Sequence, residues 1–212
     1  MSSKRFKKLP TKTVLLPAAE IEKLIPEVKK NCTTKFDESI DLNLQINNKQ
    51  KKNILFIGGS SGIGYETIKQ MHSQHNIYVA SRTNDNFKDL NVNHIKYDVL
   101  IDELNSETIP EELHGFVYCP GSINLRPFRS LKLSTFEEDL NINFLSMVKS
   151  LQKVINNLKK SGNSSVVLFS TVAVKVGMPF HTSVSASKGA IEGFARSLAA
   201  EDAPGVRVNV IA

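Results

Sequence analysis

Residues 54–64 read Ile-Leu-Phe-Ile-Gly-Gly-Ser-Ser-Gly-Ile-Gly, and this stretch decides the fold. The apolar run at 54–57 has the length and branching of a short buried strand. Gly58, Gly59, Gly62 and Gly64 then interrupt it, and an amphipathic stretch opens behind them. A strand, a glycine turn and a helix start, in that order, form a cradle for phosphate. Glycine lets the backbone come close to a ligand, and the first free N–H groups of the helix, with its dipole, face an anion. With Ser60, Ser61 and Ile63 completing the turn, the segment implies a dinucleotide cofactor.

Outward from the cradle, strands alternate with helices. Strands are expected at 53–57, 76–80, 94–97, 115–119, 164–170 and 206–211, and helices at 62–74, 134–160 and 182–202. That alternation predicts an α/β fold, a parallel sheet with helices on both faces. The helix at 134–160 carries the strongest signal. Ser134-Thr135-Phe136-Glu137 reads as a capping box. Leu140, Phe144, Met147, Leu151, Ile155 and Leu158 recur at helical spacing, and Gly162 stands at the expected stop.

The chain has 212 residues, 41% hydrophobic and 23% charged, which suits one soluble domain with a full core. No window approaches the roughly 20 apolar residues of a membrane span, so no membrane partner is expected. Two cysteines, Cys32 and Cys119, fit a reducing compartment, and a cytoplasmic location is expected. His72 and His75 stand three apart with no carboxylate or cysteine cluster beside them, so no metal is expected. The net charge of +6 is uneven: residues 1–52 hold 12 Lys and Arg against 6 Asp and Glu, while 53–212 hold 15 of each. Residues 1–52 read as a basic extension and linker with a short helix after Pro17, and residues 53–212 as the dinucleotide-binding domain. Without aromatic interleaving, the basic arm is read as solvated, and no nucleic-acid partner is expected.

Taken together, these motifs resemble the short-chain dehydrogenase/reductase family over roughly residues 53–212. The resemblance implies a Rossmann-type doubly wound sheet in the strand order 3-2-1-4-5-6. Gly58, Gly62 and Gly64 match that family's G-x-x-x-G-x-G turn. Asp98-Val99 falls where its aspartate contacts the adenine ring, and Asn143 where its active-site asparagine stands. Lys188, in Ser185-Ala186-Ser187-Lys188-Gly189-Ala190, matches the lysine of the Tyr-x-x-x-Lys motif.

Three departures accompany the resemblance. The tyrosine position holds Val184; counting back thirteen residues gives Thr171 at the serine position, with Ser170 beside it if the register slips by one. The family's Asn-Asn-Ala-Gly reads Tyr118-Cys119-Pro120-Gly121, keeping only the glycine. Family members continue past the sixth strand into a substrate lid and a seventh strand, so a chain ending at Ala212 is expected to be truncated or a fragment.

An acidic residue at the end of the second strand would select NAD, and a nearby arginine accommodates a 2′-phosphate. Ser81-Arg82-Thr83 stands there, with no acid before Asp85, which favours NADP over NAD. The resemblance implies an NADP(H)-dependent oxidoreductase acting on a carbonyl or alcohol. Lys188 would hold the ribose, Thr171 a carbonyl oxygen, and Asn143 a water. Valine transfers no proton, so His181 or a Lys188-bound water is the candidate replacement acid. The alternative is a catalytically inactive nucleotide-binding protein, a sensor or scaffold. Asn124, Arg126 and Phe128 are weaker candidates for a pocket mouth. The resemblance also implies a homodimer through 134–160 and 182–202.

Overall fold

Six parallel strands form one sheet in the order β3-β2-β1-β4-β5-β6. They are β1 (Asn53–Ile57), β2 (Asn76–Ser81), β3 (Val92–Lys96), β4 (Gly115–Tyr118), β5 (Ser164–Phe169) and β6 (Val206–Ile211). The helices are α1 (Gly62–Met71), α2 (Leu133–Leu140), α3 (Ser146–Lys160), α4 (Ala173–Val176) and α5 (Thr182–Asp202). The computed structural model describes residues 51–212; the expectations placed on residues 1–50, including the helix after Pro17, lie outside them. The order is that of a doubly wound Rossmann-type sheet, as the sequence implies.

Strand β1 is central, and its composition explains why. Leu55 and Ile57 enter the larger core with Met147, Leu151, Val154 and Leu158 of α3 and Ile191 and Ala195 of α5. Ile54 and Phe56 point the other way, into a smaller core with Ile68 of α1 and Ile77 and Val79 of β2. A strand buried on both faces must be apolar at every position, which is why 54–57 is an unbroken run. The edge strand β6 alternates instead: Val206 is buried, while Arg207, Asn209 and Ile211 are exposed.

The expected helix at 134–160 is two helices joined by a π-turn at Asn141–Leu145. The Tyr118 hydroxyl donates to the Ile142 carbonyl at 2.7 Å. A side chain entering the helical ladder is one cause of such turns. The capping box does not form either. The helix starts at Leu133 with Lys132 as its cap and no side-chain capping bond, which places Ser134 inside the first turn. Helix α1 ends at Met71, three residues short of the expected 74. Gly162 does end α3 with φ of +65°. Phe144 and Phe194 meet edge to face at 5.9 Å, and Phe194 and Leu198 pack against the main core.

Candidate functional site

The sheet reverses direction of winding between β1 and β4, and a cleft of about 310 Å³ opens at the carboxyl ends of these strands. Ligands in open α/β sheets bind at this switch point. The cleft is lined by the glycine turn, the end of β2, the segment after β3 and the segment after β4.

The turn is shaped for close approach. Gly58 and Gly59 have φ of +78° and +97°, and the Gly58 N–H donates to the Ala80 carbonyl at 2.7 Å. Gly64, in the first turn of α1, has no room for a side chain: a Cβ there would lie 2.7 Å from the Gly59 Cα and 2.7 Å from the Cys119 Sγ. The first turn of α1 contains no acidic residue, so its positive end is not neutralised by its own chain. Asn86 braces the turn from the β2–β3 connection, its amide donating to the Ser60 carbonyl at 2.8 Å. These features fit a dinucleotide pyrophosphate.

At the end of β2, Ser81 is buried and Arg82 exposed. The Ser81 hydroxyl donates to the Thr83 carbonyl at 2.8 Å and lies 3.1 Å from His94 Nε2. This fixes the turn that presents Arg82 to the cleft. Asp98 and Val99 line the same cleft, and the Asp98 carboxylate also accepts from the Leu100 N–H at 3.0 Å.

The other half of the site gathers around Gly121. A Cβ on Gly121 would stand 3.1 Å from Asn143 Oδ1 and 3.5 Å from Lys188 Nζ, so these two side chains converge on its backbone. Asn143 is fully buried in the π-turn. Its Oδ1 accepts from the Ser122 N–H at 3.0 Å and its Nδ2 donates to Ser187 Oγ at 3.0 Å. Lys188 projects from α5 to the end of β5, where Nζ donates to the Phe169 carbonyl at 3.0 Å. Burial lowers the Lys188 pKa from its ordinary value. Val184 stands one turn earlier on the same helix face and is buried.

Thr171 follows β5 by two residues, and its Oγ1 accepts from the Ala173 N–H at 3.3 Å, opening α4. Ser170 is turned elsewhere, donating to Glu192 at 2.7 Å. Of the two hydroxyls, Ser170 is thus engaged by α5 and Thr171 by the first turn of α4. His181 is held by its own loop, with Nδ1 2.7 Å from the Pro179 carbonyl.

Sequence reasoning missed Asp139. This fully buried carboxylate accepts from Ser122 Oγ at 2.5 Å and from Asn124 Nδ2 at 2.8 Å, and from Ser183 Oγ at 2.6 Å. It ties the segment after β4 to the start of α5, and through Ser122 it supports Asn143. Its position four residues before Asn143, on one helix face, was the available signal.

Cys119 lies beneath the turn against Gly64, and burial pushes its thiol pKa from an ordinary 9.0 to about 12. The unfolded chain gives up this proton near pH 9, while the folded chain keeps it until about pH 12. The unfolded state then binds fewer protons, so stability falls as pH rises across that window. Burial raises the pKa of Tyr118 as well, which acts in the same direction. Thermal melting measured from pH 8 to pH 11 should therefore show a steepening loss of stability above pH 9, and a Cys119→Ala chain should show a shallower one. Equal slopes in the two proteins would contradict this account of Cys119.

A family model described as short chain dehydrogenase matches residues 52–212. The chain belongs to the short-chain dehydrogenase family. It is 26% identical over 166 residues to the 3-ketodihydrosphingosine reductase of Bacteroides thetaiotaomicron, covering 73% of this chain and 60% of that protein. A 52-residue stretch, 24% of this chain, is 71% identical to the large ribosomal subunit protein uL1 of Pelagibacter ubique and covers 23% of it. The chain thus spans less than two thirds of the length of these relatives. A solved structure described as ElxO with NADP bound superposes with a TM-score of 0.69 at 22% identity, covering 76% of this chain and 73% of that one. At that identity the likeness is one of fold.

Proposed function

We propose that residues 52–212 bind NADP(H) and transfer hydride between the nicotinamide and a carbonyl or alcohol carbon. The convergence of Asn143 and Lys188 on Gly121, beside a glycine cradle, carries this reading. Gly58, Ser60, Ser61, Gly62, Ile63 and Gly64 take the pyrophosphate, Ser81 and Arg82 the 2′-phosphate, and Asp98 and Val99 the adenine. NADPH, when bound, supplies the hydride. Lys188 holds the ribose hydroxyls, Gly121 allows the nicotinamide side to approach, and Thr171 donates a hydrogen bond to the substrate oxygen. Asn143 orders a water toward Lys188, and that water or His181 delivers the proton that Val184 cannot.

Arg82 discriminates between cofactors. Charge-assisted hydrogen bonds contribute about 1.5–3 kcal/mol each, and about 1.4 kcal/mol is a factor of ten. Arg82→Ala should weaken NADPH binding by about tenfold or more and leave NADH binding unchanged. A parallel loss for both cofactors would contradict the role. Catalysis itself is tested by mixing NADPH-loaded protein with a panel of ketones and following loss of nicotinamide fluorescence over a single turnover. Slow oxidation supports the oxidoreductase; tight NADPH binding with no oxidation favours the second reading, a nucleotide-binding sensor or scaffold, for which the buried Val184 is the specific observation.

The oxidoreductase reading concerns residues 52–212; the ribosomal-protein likeness covers a quarter of the chain and adds nothing to it. No helix among the described residues is long and apolar enough to cross a membrane. A cytoplasmic location, and a homodimer through α2, α3 and α5 where Leu140 and Leu145 are exposed, complete the proposal.

A further inference from the structure

Two loops, which take in the short helix α4 and the first residues of α2, leave the carboxyl ends of the adjacent strands β4 and β5 and flank the Thr171–Lys188 side of the site. They span residues 121–134 and 171–181, only 25 of the 162 described residues. Yet they carry eight of the fourteen large apolar side chains exposed among those residues. Phe128 is 70% exposed, Val176 70%, Phe180 54% and Leu125 50%. Single exposed apolar residues are ordinary, but a concentration beside a cleft marks a binding surface.

Three further observations bear on what that surface receives. The two loops are joined, the Arg126 N–H donating to the Phe180 carbonyl at 3.2 Å, which holds the two sets of exposed apolar side chains on neighbouring stretches of backbone. Phe180 has φ of +69°, a left-handed conformation that is costly for an aromatic residue. The strained residue sits at this junction. The charge is one-sided as well: the two loops hold Arg126, Arg129, Lys132 and Lys175 and no Asp or Glu. The two segments start at Gly121 and Thr171, beside the candidate site, and the exposed side chains they carry are apolar and cationic.

We propose that the carbonyl substrate is an amphiphile, a hydrocarbon chain joined to an anionic, phosphate-bearing group. This deepens the oxidoreductase reading and rests on it. The chain lies along Leu125, Phe128, Val176 and Phe180, with the carbonyl reaching Thr171, and the anion meets the cations of the two loops. The occupant is a single diffusible molecule, because the segments that carry the rim leave the sheet at Gly121 and Thr171, two residues of the candidate site.

The test uses the full chain saturated with NADPH, so that the cofactor cleft is closed to phosphate. It is titrated calorimetrically with octyl phosphate, ethyl phosphate and octyl glucoside, each below its micellar concentration. Burying a methylene is worth roughly two- to fourfold in affinity. Octyl phosphate should therefore bind at least about fiftyfold more tightly than ethyl phosphate, and its charge should give it about tenfold over octyl glucoside. Phe128→Ser with Phe180→Ser should weaken octyl phosphate about tenfold with NADPH affinity unchanged; Arg126→Gln with Lys175→Gln should erase the advantage over octyl glucoside. Normal NADPH binding with no saturable octyl phosphate binding, or with all three probes alike, would overturn the inference and leave the cofactor reading standing. Binding to phosphatidylglycerol vesicles without binding to octyl phosphate would make the rim a membrane-docking surface and also overturn it. Failure to bind NADPH at all would remove both readings together.

Discussion

A Gly64→Val chain should lose NADPH binding altogether and melt several degrees lower. The added Cβ would stand 2.7 Å from the Gly59 Cα, which is backbone, and 2.7 Å from the Cys119 Sγ. Rotation of the Cys119 side chain does not relieve this, because its Cβ is 3.3 Å from the same point, and Gly59 is held with φ of +97° between β1 and α1. Overpacking of this kind costs about 1–3 kcal/mol even where neighbours relax. Here relaxation must move the cradle itself, so the loss falls on the ligand. Gly62→Ala is the matched control. Its Cβ would meet nothing within 4 Å, and only the left-handed φ of +59° opposes it. That strain costs about 1–2 kcal/mol, so this chain should be destabilised only modestly, less than Gly64→Val. Equal NADPH affinity in wild type and Gly64→Val would show that the turn does not hold the cofactor.

Val184→Tyr should gain hydride transfer by about 10²–10⁴-fold, the usual worth of a positioned general acid. Val184 precedes Lys188 by one helical turn, so a side chain there and the lysine share one face of α5. Lys188 already reaches the end of β5, its amine lies 3.5 Å from where a Gly121 Cβ would be, and Thr171 opens the next helix. On the proposed reading these are the groups a phenol at 184 would work with. The larger ring enters a buried position, and about 1–3 kcal/mol of stability should be lost. Single-turnover oxidation of bound NADPH by 2-alkanones reads the rate directly. A folded, NADPH-binding Val184→Tyr chain that is no faster than wild type would show that more than the acid is missing.

The sequence exposed those parts of the site that depend on local chemistry. The strand β1 is legible because both its faces are buried, and the cradle because glycines with positive φ have no substitute. The parallel sheet follows from the alternation of elements, and its strand order from the family resemblance. Strand β3 starts two residues and ends one residue earlier than expected, 92–96 rather than 94–97, because none of its side chains is fully buried and the apolar signal is weak. The π-turn at Asn141–Leu145 was unreadable: the Tyr118 hydroxyl that takes the Ile142 carbonyl comes from 24 residues away. Asp139 showed in the sequence only through its spacing four residues before Asn143. Its three donors, Ser122, Asn124 and Ser183, come together only in the folded chain. The Ser134–Glu137 box failed because the helix already begins at Leu133, which puts Ser134 in helical geometry where it cannot serve as the cap. The apolar rim was partly visible in Arg126 and Phe128, but the loop that completes it follows a different strand.

The central claim is that the glycine turn and Arg82 make an NADP(H) site. A calorimetric titration of the purified chain with NADPH, with NADH as the comparison, tests it most directly. The account predicts one NADPH per chain with micromolar affinity, and NADH weaker by about tenfold or more. No heat of binding from either cofactor, with the chain folded, would contradict it.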